Sequence, residues 1–190
     1  FYYKFFMKIA SISENKNVEK RVAITPETTK KYLSEGFEVL ISKNYGDHLG
    51  FSDNEYKELG ANIIDDENKI IQDSDILVQL GLPSDEKLKS FKDNQNLIGV
   101  LNPFNNKEKI NNLIKKKVKN FSLELLPRIT RAQSMDVLSS QANLAGYKAV
   151  IEAFSNFEKA IPMMMTAAGT VPAAKVLIVG AGVAGLQAIA

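Results

Sequence analysis

The sequence predicts an α/β fold built on parallel sheets. Three observations carry that prediction. Short apolar runs alternate with charged helical stretches from residue 8 to about residue 127. The stretches between the runs are long enough to hold a helix, which makes the connections right-handed crossovers between parallel strands. Residues 175–190, KVLIVGAGVAGLQAIA, then join an aliphatic run to a glycine-rich turn and the start of a further helix.

Taken in order, residues 8–12 (KIASI) read as the first strand. Thr25-Pro26-Glu27 opens a helix with an N-cap, a proline at the first position and an early acid, and Gly36 ends it. Residues 37–41 form the second strand. Ser52 caps a helix that stops at Gly60. Residues 61–64 give a short strand and residues 75–80 (DILVQL) a stronger one. A short helix follows near 85–91 and a strand at 97–101. A helix over 106–117 carries Ile110, Leu113 and Ile114 on one side, and residues 118–125 make a final strand. Residues 7–127 are thus expected to form one α/β domain. The lysines at 115–117 and 119 fall at a helix end, where cations complement the dipole, and read as a solvated helix end. Residues 128–160 are expected to connect, through a polar helix running from about Gln133 to Asn156. Residues 162–172 read as a loop or short helix rich in small residues and methionine. Residues 161–190 open a second domain.

The composition excludes several classes of function. Of 190 residues, 45% are hydrophobic and 24% charged, the ordinary balance of a globular protein. The net charge of +2 is too small to argue for nucleic acid. With no cysteine and one histidine, His48, the chain holds no set of ligands for a zinc site, and no metal is expected. Residues 161–190 come closest to a membrane span, with Lys175 their one charge. Pro162, Gly169, Pro172, Gly180, Gly182 and Gly185 interrupt them too often. Residues 1–6 read as upstream sequence before a start at Met7. The stop at Ala190, a few residues into a helix, reads as a piece of a longer protein.

The glycine turn is the first motif with chemical content. The run at 176–179 is aliphatic throughout, as expected of a strand buried on both faces. It feeds Gly180-Ala181-Gly182-Val183-Ala184-Gly185, the G-x-G-x-x-G spacing of a Rossmann-like dinucleotide site. Gly180 permits a tight turn, Gly182 lets a pyrophosphate approach the backbone, and Gly185 lets the helix pack against the strand. The amides of the helix N-terminus meet the phosphates. The alternative is a glycine-rich turn without a ligand. The acid that would bind the ribose hydroxyls falls beyond Ala190, so these residues do not choose between NAD and NADP.

The second motif follows Pro127. Gln133, Asp136, Ser139, Asn143 and Tyr147 recur at helical spacing as one polar stripe. Uncharged groups with a single acid suit a cleft that reads hydrogen-bonding ligand groups. Asp136 is close enough in sequence to pair with Arg128 or Arg131. A capped helix with an ordinary interdomain salt bridge is an equal reading of the pattern.

RITRAQSMDVLSSQANLAGYKAV at 128–150, with PMMMTAAGTVPAAKVLIVGAGVAGLQA at 162–188, closely resembles the NAD(H)-binding component of proton-translocating nicotinamide nucleotide transhydrogenases. RVAITP at 21–26 fits the wider superfamily, which includes alanine dehydrogenase. The resemblance covers residues 7–190. It implies a hydride transfer between NAD(H) here and NADP(H) on a partner domain, coupled to proton translocation. It also implies a place for residues 128–139. Arg128, Ile129, Thr130, Arg131, Gln133, Ser134, Met135, Asp136 and Ser139 would surround the nicotinamide end of NAD(H). Ser139 would contact the carboxamide, and Asp136, paired with Arg128, would orient the ring. Gln133 would face the docking NADP(H) domain, so that Gln133 and Asp136 carry the catalytic roles. Gly180, Gly182, Val183 and Gly185 would hold the pyrophosphate. The resemblance further implies an NADP(H)-binding and membrane proton-translocating partner, a homodimer of this component, and a peripheral position on the cytoplasmic face of the inner membrane.

Alanine dehydrogenase is the competing reading, and a regulatory nucleotide-binding domain a third. Arg21 matches the dehydrogenase's carboxylate-binding arginine. Its catalytic lysine would fall at Gly81, with Gln79 nearby, and its catalytic histidine at Asn102. Neither residue protonates a carbonyl near neutral pH. Arg21 would then serve as a buried ion-pair partner.

Overall fold

Aliphatic runs between charged helices assemble, in the computed structural model, into a parallel sheet. The structure describes residues 7–190; residues 1–6, read above as upstream sequence, lie outside the described residues. The chain divides into two units, one ending at Leu126 and the other spanning Pro127–Ala190.

The first unit contains β1 (Lys8–Ser11), α1 (Pro26–Ser34), β2 (Glu38–Ser42), α2 (Asp53–Leu59) and β3 (Asn62–Ile64). It continues with α3 (Glu67–Asp73), β4 (Ile76–Val78), α4 (Asp85–Leu88), β5 (Asn96–Gly99), α5 (Lys107–Lys115) and β6 (Lys119–Ser122). The six strands are parallel, in the order β3-β2-β1-β4-β5-β6. This is the doubly wound Rossmann-like arrangement, with its switch point between β1 and β4.

Side chains alternate across the sheet and build two cores. Ala10, Leu40, Leu77 and Leu97 meet Ile70 and Ile71 of α3, Leu88 of α4 and Leu113 of α5 on one face. Ile9, Val39 and Ile41 meet Ile24, Tyr45 and Tyr56 on the other, where Leu33 of α1 also packs. The register supports this division: Ile9 pairs with Val39 and Ile76, and Ala10 pairs with Leu40 and Leu77. The caps form where the sequence places them. Thr25 Oγ1 accepts from the Thr28 amide at 3.2 Å, and Ser52 Oγ accepts from the Glu55 amide at 3.2 Å.

Several elements differ from the sequence reading. Helix α3 falls in residues 65–74, to which the sequence reading assigns no element. Asp66 caps it through the Asn68 and Lys69 amides, and Ile70 and Ile71 are fully buried. Strand β6 stops at Ser122 instead of 125. A 3-10 turn at Leu123–Leu125 follows it, and Glu124 there accepts the Asn102 amide at 2.5 Å. Ile114, expected on the inner side of α5, is exposed. It lies one residue, a rotation of about 100°, beyond the buried Leu113. Lys116 is not a solvated cation: its Nζ donates to the carbonyls of Lys89 and Phe91.

In the second unit a 3-10 stretch, Thr130–Met135, precedes α6 (Val137–Ser155). The helix expected from Gln133 starts later because the Asp136 carboxylate accepts the Ser139 amide and becomes the N-cap. The loop expected over 162–172 is an antiparallel hairpin, β7 (Met164–Thr166) and β8 (Gly169–Val171), with Met165 opposite Thr170. Gly169 turns it at φ +129°, which a side chain would resist. The run at 176–179 is irregular and pairs with no strand among the described residues, and Leu177 and Val179 are exposed. A parallel strand acquires its buried character from neighbours on each side. The unit ends with α7 (Val183–Ile189). No helix among the described residues is long and apolar enough to cross a membrane.

Candidate functional site

The glycine turn of the second unit has a geometry that side chains would obstruct. Gly180 has φ +108°, in the region that favours glycine. Gly182 is the N-cap of α7, and open space lies where its Cβ would stand. A Cβ on Gly185 would collide with the Gly180 carbonyl and touch Ile178, so the start of α7 lies tight against the turn. The first intrahelical bond runs from the Leu186 amide to the Gly182 carbonyl at 2.9 Å. The amides of Val183, Ala184 and Gly185 therefore precede the helical ladder and have no partner within it. An exposed backbone donor set with an open Cβ position fits a pyrophosphate.

The segment over 128–139 is a surface element anchored at one point. Ala132 is buried, while Arg128, Ile129, Thr130, Arg131, Gln133, Ser134 and Met135 are exposed around it. Asp136 turns the chain into α6. Its Oδ1 accepts the Ser139 amide at 2.9 Å and its Oδ2 accepts the Ser139 hydroxyl at 2.7 Å. The Ser139 hydroxyl holds the Asp136 carboxyl below the usual carboxylate range, the Ser139 amide adds to this, and Arg128 contributes a smaller attraction. A depressed pKa keeps the cap ionised at neutral pH and releases it only in acid.

Two expectations change here. Asp136 forms no ion pair with Arg128 or Arg131: its two oxygens bond the Ser139 amide and hydroxyl, and Arg128 contributes only a longer-range attraction. The polar stripe is shorter than its spacing suggested: Gln133 lies in the 3-10 stretch and Asp136 at the cap, leaving Ser139, Asn143 and Tyr147 on α6.

The first unit carries a second polar constellation at its β1/β4 switch point. The buried Gln79 accepts from the Ser11 hydroxyl at 2.8 Å and the Ile12 amide at 2.9 Å. It donates to the Ile12 carbonyl and to Glu14 Oε1, each at 3.2 Å. Glu14 Oε1 also accepts the amides of Leu80 at 2.6 Å and Gly81 at 3.4 Å. Burial raises the Glu14 pKa, against the opposing pull of those amides. The buried Tyr45 hydroxyl joins Ser11 Oγ at 2.7 Å and accepts the amides of Ala23 and Ile24. Burial also pushes the Tyr45 pKa up. Gly81 and the exposed Asn102 bring no acid–base group to this region. Arg21 is not a buried ion-pair partner. It forms a bidentate pair with Glu19, at 2.8 and 2.6 Å, on a half-exposed side chain. His48 Nε2 bonds the Lys20 carbonyl at 2.7 Å.

The sequence reading missed two features. Gln79 and Glu14 form the switch-point network, and no local pattern marks either residue. Gly146, buried in α6, allows α7 to approach so closely that a Cβ would collide with the Ala184 carbonyl. A glycine in a helix interior costs about 1 kcal/mol relative to alanine, and that cost was the available signal.

Known proteins match the chain across both units. The N-terminal domain family of alanine dehydrogenase/PNT matches residues 11–145, and the corresponding C-terminal domain family matches residues 149–190. The first part of NAD(P) transhydrogenase subunit alpha from Rickettsia prowazekii is 46% identical over 188 residues, covering 97% of this chain and 49% of its own length. The protein of the same name from Rhodospirillum rubrum is 44% identical over 189 residues, with the same coverage. The crystal structure of transhydrogenase from Sinorhizobium meliloti superposes with a TM-score of 0.88 at 44% identity, covering 95% of this chain and 54% of that one. The chain spans about half the length of the curated relatives it matches. The fold, the two-domain match and the identity across both units agree: the chain belongs to the alanine dehydrogenase/PNT family.

Proposed function

We propose that this chain is the NAD(H)-binding portion of a proton-translocating NAD(P) transhydrogenase. The observation that carries the reading is the identity of 46% and 44% to the first part of two transhydrogenase alpha subunits, across 97% of the chain. The open glycine turn and the polar 128–139 segment support it, because the second unit carries both a phosphate-binding and a ring-binding element. In this reading Gly180, Gly182, Val183 and Gly185 hold the pyrophosphate through backbone amides and the α7 dipole. Ser139 contacts the carboxamide. Asp136 fixes the start of α6 and so the position of Ser139. Arg128, Ile129, Thr130, Arg131, Gln133, Ser134 and Met135 shape the nicotinamide surround, with Gln133 toward the partner domain. Bound NADH supplies the hydride. The chain's own residues need no general acid or base for that transfer: they align the ring, bring it within about 3–3.5 Å of its acceptor and exclude water. NADP(H) sits on a partner domain, and a membrane domain couples the exchange to protons. Residues 128–160 serve as the connection and 161–190 as the opening of the second nucleotide domain. A homodimer of this component, peripheral to the cytoplasmic face of the inner membrane, completes the proposal.

Two experiments test it. Asp136→Ala in the assembled enzyme is expected to lower hydride transfer to NADP+ more than tenfold, because Ser139 loses both its hydrogen bonds to Asp136. An unchanged rate would remove residues 136–139 from the site. The full-length protein given pyruvate, ammonia and NADH is expected to show no oxidation of NADH, since Gly81 and Asn102 offer no proton donor. Measurable turnover would favour the alanine dehydrogenase reading instead.

A further inference from the structure

The outer side of α5 carries a charge and an exposed aliphatic side chain that the fold does not explain. Of the chain's 24 basic and 22 acidic residues, six lysines and one acid, Glu108, fall in residues 107–119, so this segment is net +5 and the rest of the chain net −3. Two of the six lysines are engaged. Lys109 pairs with Asp85 at 3.2 Å, and Lys116 donates to the carbonyls of Lys89 and Phe91. Lys107, Lys115, Lys117 and Lys119 pair with no acid among the described residues. Lys107, Asn111, Ile114 and Lys115 are all exposed, and their spacing of i, i+4, i+7 and i+8 puts them on one face of α5. Ile114 is 57% exposed there, beside Lys115. Local structure favours neither end of this basic set. Lys107 is the first residue of α5, where the helix dipole opposes a cation. Lys117 takes the left-handed conformation, at φ +57°, just beyond the helix, a place that glycine or asparagine fills more readily. Helix stability accounts for Lys115, near the C-terminus, but not for these two.

We propose that this face of α5 docks on an anionic phospholipid surface, with the lysines against the headgroups and Ile114 at the boundary between headgroups and acyl chains. The composition of the set selects this partner over other polyanions. Residues 85–127 contain no arginine. Protein interfaces are enriched in arginine and depleted in lysine, and arginine forks are the commonest specific readers of nucleic-acid bases. Lysines are flexible point charges, which suit a diffuse array of headgroups. An exposed aliphatic side chain gains by leaving water at a bilayer, and a phosphodiester backbone offers it no apolar surface. The attraction acts over about 8 Å at physiological ionic strength, so added salt weakens it. The inference goes beyond the proposed function and does not depend on it: neither the glycine turn nor the 128–139 segment takes part.

The full-length protein alone would be sedimented with mixed phosphatidylglycerol–phosphatidylcholine vesicles and with pure phosphatidylcholine vesicles. Salt-sensitive binding to the anionic vesicles only is expected. The triple variant Lys107→Gln/Lys115→Gln/Lys117→Gln is expected to weaken it about tenfold or more. Lys30→Gln/Lys57→Gln/Lys69→Gln removes the same charge from exposed positions elsewhere on the first unit and should change binding less than about threefold. Ile114→Ser leaves the charge intact and is expected to weaken binding severalfold. All these positions are exposed, so the variants keep the fold. No binding to the anionic vesicles, equal binding to the neutral ones, equal losses in the two triple variants, or no loss in Ile114→Ser would overturn the proposal. So would binding to a DNA duplex or to polyglutamate that matches the vesicles and is lost in the first triple variant.

Discussion

Gly146→Ala is expected to weaken NADH binding by the full-length protein more than tenfold and to lower its thermal stability as well. The new Cβ would collide with the Ala184 carbonyl, in the first turn of α7. The two helices must separate, and the backbone amides of Val183 to Gly185 move with α7. Gly182→Ala provides the contrast. Its Cβ would stand in open space, so the fold should tolerate it. It would, however, occupy the place where a pyrophosphate approaches the backbone. Comparable loss of affinity with an unchanged melting temperature is expected there. A loss of tenfold corresponds to about 1.4 kcal/mol of binding free energy. Calorimetric titration with NADH, paired with thermal melts, separates the two effects. Full affinity in both variants would show that the glycine turn does not hold the nucleotide.

Gln79→Leu is expected to destabilise the first unit by about 3 kcal/mol, at roughly 1–3 kcal/mol for each buried polar group left unpaired. The side chain is nearly isosteric, so little of the loss comes from packing. Gln79 is 3% exposed and engages both the amide and the carbonyl of Ile12 as well as Ser11 and Glu14. The loops that begin at the ends of β1 and β4 would lose their common anchor. Denaturant unfolding with a lowered midpoint and an unchanged slope would confirm the size of the effect. A change below about 1 kcal/mol would mean that water replaces the carboxamide without cost.

The parallel sheet was legible because its central strands β1 and β2 are buried on both faces and show as apolar runs. Ile9-Ala10 and Val39-Leu40-Ile41 are examples: adjacent residues serve opposite cores. The helix starts at Thr25 and Ser52 were legible because side-chain caps act within three residues. Features that depend on long-range contact were not. Asp136 and Arg128 are close in sequence, yet a local cap with Ser139 competes successfully with the ion pair, and spacing does not rank the two. Helix α3 is too short for its period to be visible, and two adjacent buried isoleucines identify it only once the sheet is in place. The hairpin at 164–171 hid among small residues, where no alternation of polar and apolar side chains marks a strand. Gln79 and Glu14 meet across 65 residues of chain, a distance over which no sequence period operates. At the candidate site the glycine spacing and the RITRAQSMD segment were visible directly. The glycine of α6 that lets α7 approach was visible only as a propensity penalty.

The proposed function requires that the second unit belong to a site for NAD(H) rather than NADP(H). Calorimetric titration of the full-length protein with NADH and, separately, with NADPH decides this without the partner domain. Saturable binding of NADH is expected, with binding of NADPH weaker by at least about tenfold. Tighter binding of NADPH, or no binding of NADH, would contradict the assignment.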